Sequence, residues 1–272
     1  MVDVSPDPGQ ERSAGIDTSV PHSARVWNYL LGGTDNFPVD RQAGDKVREI
    51  FPGMVDITRQ SRFMLARVVR YLAGEAGIRG FLDIGTGLPT ADNTHQVAQR
   101  VAPESRIVYV DKDPLVLLHA RALLTSSPEG ATAYLEADVR DPAAILRQAA
   151  ETLDLTRPTA LMLMGVMGLV EDYDEARSIV GRLMTALPAG SHLALYDGVD
   201  TDPAYVQAIA GYNRGSGAIP YTPRSPAQIA GFFDGLDLLS PGVVPVSRWR
   251  PDPAPQGEPP AVSCAGGVAR KP

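Results

Sequence analysis

Phe81-Leu82-Asp83-Ile84-Gly85-Thr86-Gly87-Leu88-Pro89-Thr90 joins a short run of strand character to a glycine turn and then to a new helical pattern. The glycines are spaced i, i+2, so the backbone can turn tightly there without side chains. Thr90 suits the cap of the following helix, which would open a ligand approach to bare backbone at a helix N-terminus. A dinucleotide fingerprint wants a third glycine where Thr90 stands and carries no acid such as Asp83 just before the first one. A pyrophosphate would be poorly served by that carboxylate. A zwitterionic amino-acid ligand would be served well, because the carboxylate can hold its ammonium.

Strand and helix alternate outward from this turn. Strands are expected over 81–84, 107–111, 133–137, 159–164 and 192–197, with helices over about 91–100, 115–123, 142–153 and 173–187. The run 159–164 is apolar almost throughout, as in a strand covered on both faces. Such succession predicts a parallel sheet with right-handed crossovers. Helices near 203–212 and 226–234 then lead into a strand over 236–249 that is broken at Pro241-Gly242. Residues 251–260 hold five prolines and join it to a last strand near 261–269, expected to be antiparallel.

Two further acids fall at expected strand ends. Asp111, 28 residues after Asp83 and followed by Lys112, can accept hydrogen bonds from both hydroxyls of a ribose. Asp113 competes for that role but also suits the N-cap of a helix opened by Pro114. Asp138 can accept from an adenine amino group while the Val139 backbone meets the ring. Each acid alone reads as a cap or loop residue; in register with the glycine turn, the three read as a nucleoside site.

Before the strand region, residues 1–20 have no apolar period and are expected to be a disordered tail. Helices are expected near 22–31, 40–50 and 57–77, forming an N-terminal helical cap over 21–78 on a ligand-binding domain over 79–272. In the first helix Val26, Trp27, Leu30 and Leu31 share a face, which leaves Arg25, Asn28 and Tyr29 together at i, i+3 and i+4. Gly32, Gly33, Asp35 and Asn36 extend that polar set.

Composition narrows the function classes. The chain has 272 residues, 44% of them hydrophobic, with 25 Lys+Arg against 32 Asp+Glu and a net charge of −7. This is the composition of a soluble globular protein, and the acid excess argues against affinity built on phosphate neutralisation. The single Cys264 excludes an intrachain disulfide and a cysteine zinc site. No apolar run reaches a membrane-spanning length, and the acidic N-terminus is no signal peptide, so a cytoplasmic protein is expected. The four histidines have no metal-ligand spacing, and no nucleophile elbow or phosphate loop is present. The 26 glycines and 24 prolines, about 18% of the chain, exceed a typical ~12%. Part of the excess lies in the N-terminal tail and in residues 251–260, but Gly32, Gly33, Gly85, Gly87 and Pro89 fall beside the expected ligand.

The set Asp83-x-Gly85-x-Gly87, Asp111 and Asp138 resembles the class I Rossmann-like methyltransferases that bind S-adenosylmethionine. More closely, residues 21–272 resemble the S-adenosyl methyltransferase family of actinobacterial proteins, long catalogued as a domain of unknown function. The resemblance is carried by Pro21-His22-Ser23-Ala24-Arg25-Val26-Trp27-Asn28-Tyr29-Leu30-Leu31-Gly32-Gly33-Thr34-Asp35-Asn36-Phe37 and by residues 81–90 with Asn93 and His95. Val243-Val244-Pro245-Val246-Ser247-Arg248-Trp249-Arg250 and residues 267–272 carry it as well. It implies an α/β fold with a Rossmann-like seven-stranded sheet, mostly parallel with an antiparallel last strand, and an N-terminal helical lid over S-adenosyl-L-methionine. Under that lid Arg25 would pair with the methionine carboxylate, and Gly33, Asn36 or Tyr29 would meet the ligand. Arg59 and Arg62 would serve the same carboxylate or an anionic substrate, while Thr86, Lys112 and Gly165 complete the expected contacts. Two positions depart from the family pattern: Ser61 stands for an Asn before Arg62, and Gly168 for a His after the fourth strand. Met164-Gly165-Val166-Met167-Gly168 also lacks the Asp/Asn-Pro-Pro-aromatic grip of enzymes that methylate base amines.

The expected function is S-adenosylmethionine-dependent methyl transfer to a small molecule, with no membrane or nucleic-acid partner. The alternatives are a binder that senses the cofactor without turnover and, disfavoured by Asp83 and Thr90, a nicotinamide dehydrogenase. Tyr29, Tyr196 and Asp197 are candidates for a base by position alone.

Overall fold

The computed structural model describes residues 17–123, 125–253 and 257–272. Five parallel strands, β1 (Gly80–Ile84), β2 (Arg106–Asp111), β3 (Ala131–Glu136), β4 (Thr159–Met164) and β5 (His192–Gly198), are extended by antiparallel β8 (Cys264–Arg270). Two dipeptide strands, β6 (Asp237–Leu238) and β7 (Val244–Pro245), pair with different parts of β8. The order is β3-β2-β1-β4-β5-β8-β6, with β7 also on β8. The sheet therefore has eight strands, where seven were expected. The physical cause is Pro241-Gly242, which removes a donor and turns the chain, so the expected strand over 236–249 survives only as two dipeptides flanking the break, and residues 246–248 form a 3-10 turn.

Period-2 alternation sorts the sheet's side chains between two cores. Phe81, Ile107, Tyr109, Ala160, Met162 and Ala194 face a cluster built on α3 (Met54–Gly74), whose Met64, Val68, Val69 and Leu72 are buried. Leu82, Ile84, Val108, Val110, Leu161 and Leu163 face the opposite cluster, covered by α6 (Pro142–Ala149), α7 (Tyr173–Ala186) and α9 (Pro226–Gly231). Asp83, two residues on from Phe81, consequently lies on the α3 side. All six residues of β4 are buried, as its unbroken apolar run predicts.

The helices read from the N-terminal sequence divide in space. α3 lies against the sheet, whereas α1 (Ser23–Leu30) and α2 (Pro38–Ile50) sit beyond it, α2 packing along α8 (Pro203–Gly215). Pro38 opens α2, and Asp40 in its first turn accepts from the Phe37 N–H at 2.8 Å. After β1 the next helix, α4 (Thr94–Val101), starts later than expected. Asp92 adopts a left-handed φ of 56°, and the N-cap is Asn93, whose N–H is held by the Gln96 side chain at 2.9 Å. Thr90 is a turn residue, not the cap. The fifth helix, α5 (Pro114–Leu123), follows β2. Residues 1–16 of the expected tail and 254–256 of the proline-rich connection lie outside the described residues. Among the described residues no helix is long and apolar enough to cross a membrane.

Candidate cofactor and acceptor cleft

The strand order reverses between β1 and β4, and the crevice above a reversal is where open α/β sheets take ligands. A cleft lies there. It is lined by the ends of β1, β2, β3, β4 and β5 and roofed by residues of α1, α2, α3 and α8.

Register brings the strand-end acids together. Ile84 pairs with Val110 and Asp111 with Glu136, so Gly85, Asp111 and Asp138 follow one another along the same edge. Gly85 has φ +73°, and a Cβ there would stand 2.5 Å from Val166 Cγ2, so both conformation and space require glycine. The Gly87 N–H donates to Asp111 Oδ2 at 3.0 Å, and the Asp113 N–H donates to Asp111 Oδ1 at 3.0 Å. Each carboxylate oxygen keeps a lone pair for a further donor. Burial raises the Asp111 carboxyl above its ordinary value, against those two N–H groups.

Asp83 is buried at the head of the cleft and accepts from the Thr94 hydroxyl at 2.6 Å. Burial pushes its carboxyl up to about 6, opposed by the Thr94 hydroxyl and the Arg62 charge. Arg62, half-buried on α3, donates through Nη2 to the Ala91 and Asp92 carbonyls at 3.1 and 3.0 Å. Its Nε is buried and has no partner among the described residues. Desolvation lowers the pKa of this guanidinium, offset in part by Tyr196 and Asp83. At the other end, Asp138 accepts from the Arg140 N–H at 2.9 Å and lies 3.6 Å from Lys112 Nζ. Partial burial would raise Asp138, but that N–H and the Lys112 and Arg140 charges hold it below its ordinary value.

The cleft gathers Arg62, Asp83, Gly85, Thr86, Gly87, Asp111, Lys112, Asp138, Val139 and Gly165 from the residues singled out in the sequence. It does not gather Arg25, Tyr29, Gly33 or Asn36. Arg25 is buried outside the cleft, donating to the Asp17 and Val20 carbonyls, with Nε 3.7 Å from Asp40 and 3.6 Å from Asp113. A guanidinium that deep needs carboxylates, and α2 and the β2 end supply them. Asp113 is thereby a tether and the cap of α5, outside the cleft lining: its Oδ1 accepts from the Leu115 N–H at 2.9 Å. Tyr29 turns to α2, where its hydroxyl donates to Asp45 at 2.7 Å. Gly33 and Asn36 act on Asn28: Asn36 donates to Asn28 Oδ1 at 2.9 Å, and a Cβ on Gly33 would collide with the Asn28 amide. Asn28 itself lines the cleft, together with Val26, Trp27, Leu30 and Leu31, so the roof is mostly the apolar side of α1. His95 is buried beside Tyr109, 2.9 Å from its hydroxyl, and Arg59 is exposed; neither lines the cleft.

Sequence reasoning missed the tyrosines at the far end. Tyr205, Ile209 and Tyr212 project from one face of α8, and Tyr221 follows on the next loop. Their i, i+4, i+7 spacing was the available signal. Tyr221 donates to buried Asp197 at 2.7 Å and accepts from the Gly198 N–H at 2.8 Å. A Cβ on Gly168 would fall 2.4 Å from the Tyr221 ring, so this glycine makes the room for the tyrosine.

The profile of the S-adenosyl methyltransferase family matches residues 9–272. Two solved structures are similar along nearly the whole chain. A DUF574 family protein from Streptomyces avermitilis is 46% identical, covers 94% of this chain and 99% of its own, and superposes with a TM-score of 0.87. A Thermobifida fusca protein described as a candidate methyltransferase is 41% identical over 99% of both chains, with a TM-score of 0.85. No curated protein matches the chain.

Proposed function

The chain belongs to the S-adenosyl methyltransferase family, and from that premise we propose that it binds S-adenosyl-L-methionine in this cleft and methylates a small molecule held beside it. The observation that carries the reading is the placement of Asp83 and Arg62, one buried acid and one guanidinium with an unsatisfied Nε, together in the lining of a glycine-turn cleft. That pair fits the ammonium and carboxylate of an amino acid. The Gly85 turn, which a Cβ would close, leaves backbone for the ligand to rest on. Asp111 would hold the ribose hydroxyls, and Asp138 with Val139 the adenine.

When bound, the cofactor supplies an electrophilic methyl group on a sulfonium. The chain's own contribution is to orient and to dry the site. Asp83 and Arg62 fix one end of the ligand and Asp111 the middle, which restricts it to one pose. Trp27, Leu30 and Leu31 of α1 cover the cleft and exclude water. A cytoplasmic setting belongs to this reading, supported by the single, buried, unpaired Cys264.

Titration calorimetry with S-adenosylmethionine, S-adenosylhomocysteine and NAD tests it. Both sulfur compounds are expected to bind and NAD is not. Asp111→Ala is expected to weaken S-adenosylhomocysteine at least about tenfold, from two lost hydrogen bonds to a charged acceptor. Binding of NAD alone would overturn the reading.

A further inference from the structure

The cleft is electrically two-sided. Its charged lining residues come from α3 and the β1, β2 and β3 ends: Arg62, Asp83, Asp111, Lys112, Asp138 and Arg140. Every residue that α2, α8, β5, β8 and the loop at 216–222 contribute to it is uncharged. Those residues, among them Val47, Ile209, Tyr212, Ile219 and Tyr221, join Trp27, Met54 and Ile57 to enclose the far half. Hydroxyls supply most of its polar points. Ser61 Oγ, on a residue 1% exposed, has no partner among the described residues, and neither has the buried Tyr212 Oη.

We infer that the far half of the cleft is the acceptor site and that it takes an uncharged, mostly apolar molecule of aromatic character, steadied by hydroxyl hydrogen bonds. The inference rests on the reading of the other half as the cofactor site. Its physical ground is desolvation. An ionised acceptor moved from water into walls of Trp, Met, Ile and Tyr loses several kcal/mol of hydration unless a countercharge meets it. The one cation at the boundary, Arg62, is taken by the cofactor carboxylate. Asp197 lies behind Tyr221, bonded to its hydroxyl, and is not part of the wall. A flat apolar ring instead gains burial against Trp27 and the tyrosine rings, and the hydroxyls along that wall are uncharged hydrogen-bond partners for it.

The two tryptophans make the test direct. Trp27 lines the cleft, whereas Trp249 is fully buried against Arg67 and Tyr71, so quenching reports on Trp27 and is lost in Trp27→Phe. The full-length protein, saturated with S-adenosylhomocysteine, is titrated with three probes of one skeleton: 2-naphthol, 2-naphthoate and 2-naphthylmethylammonium. The expected result is binding of 2-naphthol at least about tenfold tighter than either ion. Ile219→Lys, on a partly exposed loop, is expected to bring naphthoate to within about threefold of naphthol while leaving S-adenosylhomocysteine affinity unchanged. Equal or tighter binding of an ion by the unmodified protein would overturn the inference, as would failure of all three probes while S-adenosylhomocysteine binds. Failure of S-adenosylhomocysteine itself would instead overturn the cofactor reading beneath it.

Discussion

Asp83 carries a conflict between folding and binding. Its carboxyl sits at about 6 because burial disfavours the charge more than Thr94 and Arg62 favour it. A carboxyl raised above its unfolded value stabilises the fold at low pH, and that contribution is lost as pH rises through the folded pKa. Ionised Asp83 therefore weakens the ligand-free protein at neutral pH, yet ionisation is what an ammonium requires. Two outcomes are expected from Asp83→Asn. Urea denaturation of the ligand-free variant at pH 7 should show a gain of about 1–3 kcal/mol. Calorimetry should show weaker S-adenosylhomocysteine binding with a flat pH profile, whereas the unmodified protein loses about tenfold in affinity as pH falls from about 7 to about 5. Asp83 was legible in the sequence because its neighbours Gly85 and Gly87 mark the turn. Its raised pKa was not, since that comes from the burial imposed when the α3 layer closes over it, which outweighs the opposing Thr94 hydroxyl and Arg62 charge.

At the scale of elements, α1 and α2 form a roof held by a buried ionic knot. Asp40 is fully buried, accepts from the His22 and Phe37 N–H groups at 2.9 and 2.8 Å, and faces Arg25. Asp113 brings the β2 end into the same knot, with His22 Nδ1 3.1 Å away. Arg25→Ala would leave two carboxylates buried without their cation, a loss of about 3–5 kcal/mol in denaturant unfolding. Arg62→Ala should behave in the opposite way: stability moves by less than about 1 kcal/mol, because its bonds go to carbonyls in a half-exposed turn, while S-adenosylhomocysteine affinity falls at least about tenfold. A large affinity loss at Arg25 with unchanged stability would return the carboxylate to Arg25. Helical spacing grouped Arg25, Asn28 and Tyr29 on one face of α1, and the family resemblance then gave the carboxylate to Arg25. Spacing places residues on a face; which face meets ligand and which meets another helix is decided by what α2 and β2 present, and no local pattern contains that.

For the molecule as a whole, ligand held by the sheet edge, α1 and α3 at once should stabilise them together. At about one hundred times its dissociation constant, S-adenosylhomocysteine should add about 2.7 kcal/mol, a rise of about 5–10 °C in melting temperature by calorimetry, with no shift from NAD. Much of the architecture was already local in the chain. Apolar strands alternating with helical periods dictated the parallel sheet, because period 2 and period 3.6 bury different faces. Gly85 and Gly87 dictated the turn, because both take a positive φ and at Gly85 Val166 leaves no room for a Cβ. Asp111 and Asp138 were readable as strand-end acids because strand ends are local. Three things needed the tertiary structure. The break at Pro241-Gly242 was readable, but that both pieces, 237–238 and 244–245, pair with the one strand β8 was not. The burial of Arg25 depended on carboxylates 15 and 88 residues away in sequence, at Asp40 and Asp113. The tyrosine-walled half of the cleft depended on α8 folding back onto α2, which brings Tyr205, Tyr212 and Tyr221 opposite α1 and α3. Each is a long-range juxtaposition, set by packing and by the pairing of buried charge, and such terms have no signature within a window of neighbouring residues.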